Sequence, residues 1–327
     1  MVLDATIDRF KSDLDALIEP GARLGFAVSG GPDSLALLVL AAASRPGEVE
    51  AATVDHGLRE GSWAEAEAVA GLCERLGVPH SILAIQWDLP PTSAVQEQAR
   101  AVRYGALATW TRERELTALL TGHHLDDQAE TLLMRLNRGS GVRGLAGIRR
   151  TGVVPGDPEL PLLRPLLGWR RSELEEVCAQ SGLSPAIDPS NFDDRHERVR
   201  IRGAIARNGW LDVQALARSA DNLASADEAL IWAADREWAD FVDIFDDEIV
   251  YRASTAPTEI IRRIVARAIA ELGTEGVPED LRGRELDRLI ADLRGCNTTT
   301  LRGVRCMGGA EWKFSRSAPR SKWQADR

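Results

Sequence analysis

Leu24-Gly25-Phe26-Ala27-Val28-Ser29-Gly30-Gly31-Pro32-Asp33-Ser34-Leu35-Ala36-Leu37-Leu38 decides the fold. The apolar run 24–28 reads as a buried parallel strand, 29–33 as a tight loop, and 34–43 as an apolar helix. A glycine-rich turn between a strand end and a helix start is a phosphate cradle. Gly30 and Gly31 let backbone N–H groups approach an anion, and the helix N-terminus adds favourable partial charge. No lysine follows the glycines, so the loop is not of the G-x-x-x-x-G-K-[ST] kind. The plain alternative is an ordinary turn with Ser34 near the helix N-cap.

Strands and helices alternate outward from this stretch. Helical periodicity covers 4–19, 63–76, 93–115, 125–138 and 169–181, and strand-like runs cover 49–54, 80–87 and 116–121. That alternation predicts an α/β fold, a parallel sheet with helices on both faces. Ligands on such sheets bind at the carboxyl ends of the strands. Three polar stretches fall there: Ser29–Ser34, Asp55-His56-Gly57-Leu58-Arg59, and Gly122 to Glu130. Residues 139–168, rich in Gly, Arg and Pro, read as a functional loop region rather than a core element. The composition changes near 212. This divides the chain into 1–212 and a smaller, mostly helical 213–327, with a hairpin of 298–305 and 311–316 around Gly308-Gly309.

The chain has 327 residues and a net charge of −10, which argues against indiscriminate nucleic-acid binding but not against a local basic face. Only three lysines occur, so nearly all positive charge is arginine, the better bidentate phosphate binder. No apolar run reaches membrane-spanning length, and the N-terminus shows no signal-peptide pattern. Cys73, Cys178, Cys296 and Cys306 lack C-x-x-C spacing and read as reduced thiols of a cytoplasmic protein.

Thr121-Gly122-His123-His124-Leu125-Asp126-Asp127-Gln128-Ala129-Glu130 is the second anchor. On a helix, His123, Asp127 and Glu130 share a face at i, i+4 and i+7. Crowded carboxylates call for a positive partner, a metal ion or a cationic substrate. The alternative is that Asp126 and Asp127 only complement the helix dipole. Asp33 suits Mg²⁺ or stabilises an Asx-type turn. His56 contacts adenosine or caps its strand. Arg103, beside Arg100 and Tyr104, reaches phosphate or pairs with an acid such as Glu97. Two arginine runs, at 135–150 and 195–202, suit a polyanion.

Taken together, these stretches resemble the tRNA(Ile)-lysidine synthetases, members of the N-type ATP pyrophosphatases with an adenine nucleotide α-hydrolase-like fold. The resemblance covers about 25–205. It continues through Arg138-Gly139-Ser140-Gly141, Gly144 to Ile148, Arg164-Pro165-Leu166-Leu167, Asp188-Pro189-Ser190-Asn191 and Arg198 to Arg202. It implies an ATP- and Mg²⁺-dependent ligase that adenylates the wobble cytidine of tRNA(Ile) bearing a CAU anticodon and then joins free L-lysine to C2. Carried over position by position, it implies His123, Asp127, Glu130 and Arg202 as catalytic. It sets Ser29, Gly30, Gly31, Pro32, Asp33, Ser34, His56 and Arg103 around ATP, and Asp33 and Asp126 on Mg²⁺. The C-terminal domain would contact tRNA, no membrane is involved, and a homodimer is left open. Val199 stands where the family carries Asn, and long members carry a further C-terminal module. Two alternatives compete: a thiolation-type tRNA-modifying pyrophosphatase, disfavoured by the missing paired cysteines, and a non-catalytic RNA- or nucleotide-binding module, disfavoured by the crowded acids.

Overall fold

The computed structural model describes residues 2–57, 61–87, 95–186, 195–252, 255–273 and 283–317. β1 (Leu24–Ala27) carries the fully buried Leu24 and Phe26 and runs parallel to a neighbour on each side, β2 (Val49–Asp55) and β4 (Ala118–Leu120). A strand covered on both faces needs a continuous apolar run, which is what the sequence supplies. At Gly25 a Cβ would come within 2.8 Å of the Trp110 ring on α4 (Val95–Glu113), so glycine lets that helix seat closely.

The six-stranded sheet has the order β3-β2-β1-β4-β6-β5, with β3 (His80–Ala84), β5 (Thr151–Val154) and β6 (Asp157–Leu163). Every pairing is parallel except that of β5 with β6. The chain steps from β1 to β3 toward one edge, then returns to lay β4 on the other side of β1. The order therefore reverses between β1 and β4, and a crevice opens outside their carboxyl ends.

Helices cover both faces. On one, α1 (Val2–Asp15), α2 (Pro32–Ser44), α3 (Ser62–Leu76) and α7 (Arg171–Gln180) bury Phe10, Leu14, Leu37, Leu38, Leu72 and Leu174 around the sheet. On the other, α4 packs Tyr104, Leu107 and Trp110 against Leu119, Leu160 and Leu162. α2 is buried along most of its length, as a helix wedged between other elements must be. Trp169 packs edge-on against Phe10 at 6.4 Å, and its indole N–H donates to Asp13 at 2.8 Å, so its burial leaves no donor unpaired.

The expectation of a loop over 139–168 is corrected here, because the one-turn helix α6 (Val142–Leu145), β5 and β6 lie inside it. Pro158 and Pro161 conceal the strand period. β6 tolerates them because it pairs with β4 only at Leu162 and Leu163, and its register with β5 shifts between Val153 and Val154.

By contact density the chain divides at Ala224/Ser225, inside α9 (Val213–Phe241). The second unit, with β7 (Val242–Ile244), β8 (Glu248–Tyr251), α10 (Thr258–Leu272), α11 (Gly283–Arg294) and three further strands, has the antiparallel order β7-β8-β11-β10-β9. Its core holds Tyr251, Ile264, Val265, Leu293 and Phe314. The expected hairpin is really two. β9 (Thr298–Leu301) turns into β10 (Val304–Met307) at Arg302-Gly303, both with positive φ, and β10 then pairs with β11 (Trp312–Arg316).

Candidate active site

The cradle is closed by its own residues. α2 begins with Pro32 in its first turn, where a missing N–H costs nothing. Gly30 sits at φ +81°, and its carbonyl accepts the Ala186 N–H at 3.1 Å. Ser34 lies one turn inside α2 and is not its N-cap. Its Oγ accepts the Ser29 N–H at 3.1 Å and donates to the Gly31 carbonyl at 3.0 Å. This bolts the loop while the first-turn amides of α2 stay available to an anion. Asp33 follows Pro32. Its Oδ1 is buried without a hydrogen-bond partner, and its Oδ2 lies 3.5 Å from His124 Nε2.

The second loop, after β4, touches the first. A Cβ on Gly122 would fall 3.0 Å from the Asp33 carbonyl oxygen, so any other residue would push the two backbones apart by a few tenths of an ångström. α5 spans Leu125–Asn137 and is capped at His124, so His123 precedes the helix. That corrects the expected common helical face of His123, Asp127 and Glu130: only the two acids share α5. Asp127 Oδ2 reaches back to accept the His124 N–H at 3.1 Å, half of a capping box.

His124, to which the sequence reading gave no role, links the two loops. Its buried Nε2 is 3.5 Å from Asp33 and 3.5 Å from Asp127. Burial opposes its charge, but Asp33, Asp127 and Asp126 outweigh burial and hold its pKa above the ordinary histidine value. His123 behaves oppositely. Burial pushes it down to about 4, Asp127 resists, and Arg164, Arg100 and Arg198 add to the fall. It is therefore neutral, with Nδ1 2.8 Å from Thr121 Oγ1. Asp127 stays below the usual carboxylate range: burial works against it, and His124, Arg198 and His123 overcome it.

The positive partner expected as a metal ion or a cationic substrate is supplied by the chain itself, from α8 (Glu197–Arg207). Arg202 donates to both oxygens of the buried Glu130, at 2.7 and 3.3 Å. Arg198 donates to Asp127 at 3.3 Å and to Thr131 at 3.2 Å, and lies 3.6 Å from Glu130. Asp126 is held from a different side. Its carboxylate accepts from Arg170 at 3.2 and 3.3 Å and from the Arg171 N–H at 2.9 Å. It thus anchors the start of α7, and its expected place on Mg²⁺ beside Asp33 would compete with these bonds. Among the described residues no group of three or more His, Cys, Asp or Glu is gathered for a metal.

His56 follows β2, with its carbonyl accepting the Trp87 indole N–H at 2.7 Å. Its ring Nδ1 is buried without a partner, and burial together with the Arg103 charge lowers its pKa. Arg103 lies over the Tyr104 ring at 5.2 Å, with Arg100 at 4.9 Å. The arginine runs are partly structural. Arg135 donates to the Gly144 and Gly147 carbonyls, and Arg138 pairs with Glu197. Leu58, Arg59, Asp188-Pro189-Ser190-Asn191, Asp193 and Asp194 lie outside the described residues. All four cysteines are free, and burial raises Cys73 and Cys178 to about 11 and Cys306 to about 12.

Residues 5–208 match the PP-loop domain family. The chain is 48% identical over 317 residues to the tRNA(Ile)-lysidine synthase of Novosphingobium aromaticivorans, covering 96% of this chain and 95% of the relative. The chain belongs to the tRNA(Ile)-lysidine synthase family. It is therefore an ATP-dependent ligase of the PP-loop class. The tRNA(Ile)-lysidine synthase of Zymomonas mobilis is 40% identical over 92% of this chain and 90% of its own length. Among solved structures, the U34-tRNA thiolase NcsA of Methanococcus maripaludis superposes with a TM-score of 0.55 at 18% identity, over 67% of this chain and 80% of that one, which supports the fold. No described helix is long and apolar enough to cross a membrane.

Proposed function

We propose that this protein ligates free L-lysine to C2 of the wobble cytidine of tRNA(Ile) bearing a CAU anticodon, in the cytoplasm. ATP is consumed and AMP and pyrophosphate are released. The observation that carries this reading is His124, which stands 3.5 Å from Asp33 in the nucleotide cradle and 3.5 Å from Asp127 at the head of the acidic pair. One side chain thus joins a phosphate-binding loop to a cation-binding face.

The ATP phosphates lie on Ser29 to Ser34, against the first-turn amides of α2, with His56 and Arg103 toward the nucleoside side. The orphaned Asp33 Oδ1 fits a hard cation, so Asp33 would hold Mg²⁺. Bound there, Mg²⁺ would neutralise charge developing on the phosphates. The C2 oxygen of cytidine attacks the α-phosphorus. A new P–O bond forms, the bond to pyrophosphate breaks, and pyrophosphate leaves. The ε-amine of lysine then attacks C2, the C2–O bond breaks, and AMP leaves. The amine must shed a proton, and Asp127 or the neutral His123 would take it. The cytidine must leave its stack to reach the crevice, which an anticodon loop allows.

The test is incubation of the full chain with ATP, labelled lysine and a tRNA transcript bearing CAU. Label should enter the tRNA with one AMP and one pyrophosphate per lysine, and a transcript bearing GAU should stay unlabelled. Lysine-independent pyrophosphate release with no label in tRNA would reject the ligase reading.

A further inference from the structure

We infer that the Arg198 guanidinium is a built-in occupant of the lysine cation pocket, displaced when tRNA binds, so that lysine enters after tRNA. The inference rests on the reading of Asp127 and Glu130 as the lysine site.

The two arginines on that site are held differently. Arg202 concentrates on Glu130, with its shorter contact at 2.7 Å. Arg198 is spread over Asp127 at 3.3 Å, Thr131 at 3.2 Å and Glu130 at 3.6 Å, with 41% of its side chain exposed. Long, divided contacts on an exposed side chain make Arg198 the displaceable member. Charge agrees. With both arginines present, two carboxylates face two guanidiniums, and that set carries no net charge to attract a further cation. With Arg198 withdrawn, one negative charge remains, matching one ammonium. A guanidinium leaving carboxylates recovers its bonds on a phosphate. The tRNA supplies phosphates and free lysine does not. Arg198 therefore sets the order of binding, and tRNA and lysine must favour each other reciprocally.

The test is equilibrium dialysis of labelled lysine against the full chain, with and without the CAU transcript and without ATP. In the wild type, tRNA should tighten lysine binding by roughly ten- to hundredfold, the factor by which an occupied pocket hides its affinity. Arg198→Met should tighten lysine binding without tRNA by a similar factor and abolish the coupling. Arg198→Gln, which keeps a polar side chain but not the charge, should do the same and guards against misfolding, checked by circular dichroism. Weaker or unchanged lysine binding in both variants overturns the inference and makes Arg198 a structural partner or a ligand of substrate. Asp127→Asn in the Arg198→Met background separates the two claims. If tight lysine binding survives it, the pocket reading itself is wrong. If Asp127→Asn removes binding while Arg198→Met never tightened it, only the displacement fails.

Discussion

The two halves of the site are held by different means. The side-chain bonds that fold the cradle's turn run between Ser29, Gly31 and Ser34, no more than five residues apart, with Cys178 reaching the Pro32 carbonyl and His124 facing Asp33 from outside it. The acidic pair on α5 is held by Arg198 and Arg202, 71 and 72 residues further along the chain. The cradle leaves an oxygen of Asp33 unpaired, whereas the acidic pair leaves no oxygen of Glu130 without a guanidinium. Reactive capacity therefore stands open on one side and masked on the other. A nucleotide meets a preformed seat, while a cationic substrate meets a seat already filled.

The largest expected effect breaks the open half. Asp33→Asn should lower the rate of pyrophosphate release by about 10²–10³, the range for removing one preorganised electrostatic group. It should lower the melting temperature only slightly, because Oδ1 has no partner to lose and Oδ2 gives up only its long contact with His124. Rapid quench and thermal melts check both. Near-normal turnover would place the metal elsewhere. In the masked half, the corresponding change should cost stability. Glu130→Gln weakens the pairing that neutralises Arg202, at about 2 kcal/mol, and raises the KM for lysine. Glu130→Leu combined with Arg202→Met should recover most of that stability but not lysine use. If the double variant regains both, the pair is only structural.

This asymmetry also explains what the sequence made readable. The cradle is a contiguous strand, turn and helix whose bonds are local, so its residues announce it. Gly122 is local as well, although the reason for it, contact with the Asp33 backbone, is not. The need for positive charge near Asp127 and Glu130 was legible from their spacing, but its source was not. No periodicity says that Arg198 and Arg202 return to α5 rather than face a polyanion. His124 escaped because an N-cap position looks ordinary until two loops meet at it. β6 escaped because Pro158 and Pro161 break the alternation that marks a strand.

A smaller effect separates Asp126 from its neighbour. Asp126→Asn loosens Arg170 and the first amide of α7, costing about 1–2 kcal/mol of stability. Its Mg²⁺ dependence and lysine KM should match the wild type, whereas Asp127→Asn should raise the lysine KM strongly. Mg²⁺ titrations of pyrophosphate release decide this. A shift of the titration to higher Mg²⁺ in Asp126→Asn would restore that carboxylate to the metal.

The smallest effect lies in the pH dependence of stability, where the adjacent histidines carry opposite signs. Burial depresses His123 to about 4 from its ordinary 6.5. The folded state thus binds fewer protons than the unfolded state between those values. Its contribution is complete above about 6.5 and is lost as pH falls toward 4. His124 is raised by Asp33, Asp127 and Asp126 against the pull of burial. Its contribution is complete below 6.5 and is lost as pH rises through its folded pKa. The two slopes have opposite signs and meet near pH 6.5, so the wild-type curve should peak there. His123→Gln removes one of them. Between pH 6.5 and 5.5 the wild type should lose stability relative to this variant by on the order of 1 kcal/mol. Denaturant titrations at the two pH values measure the difference. A wild type that gains on the variant over that interval would mean that His123 is charged in the folded protein, and it could not then accept the proton of the lysine amine.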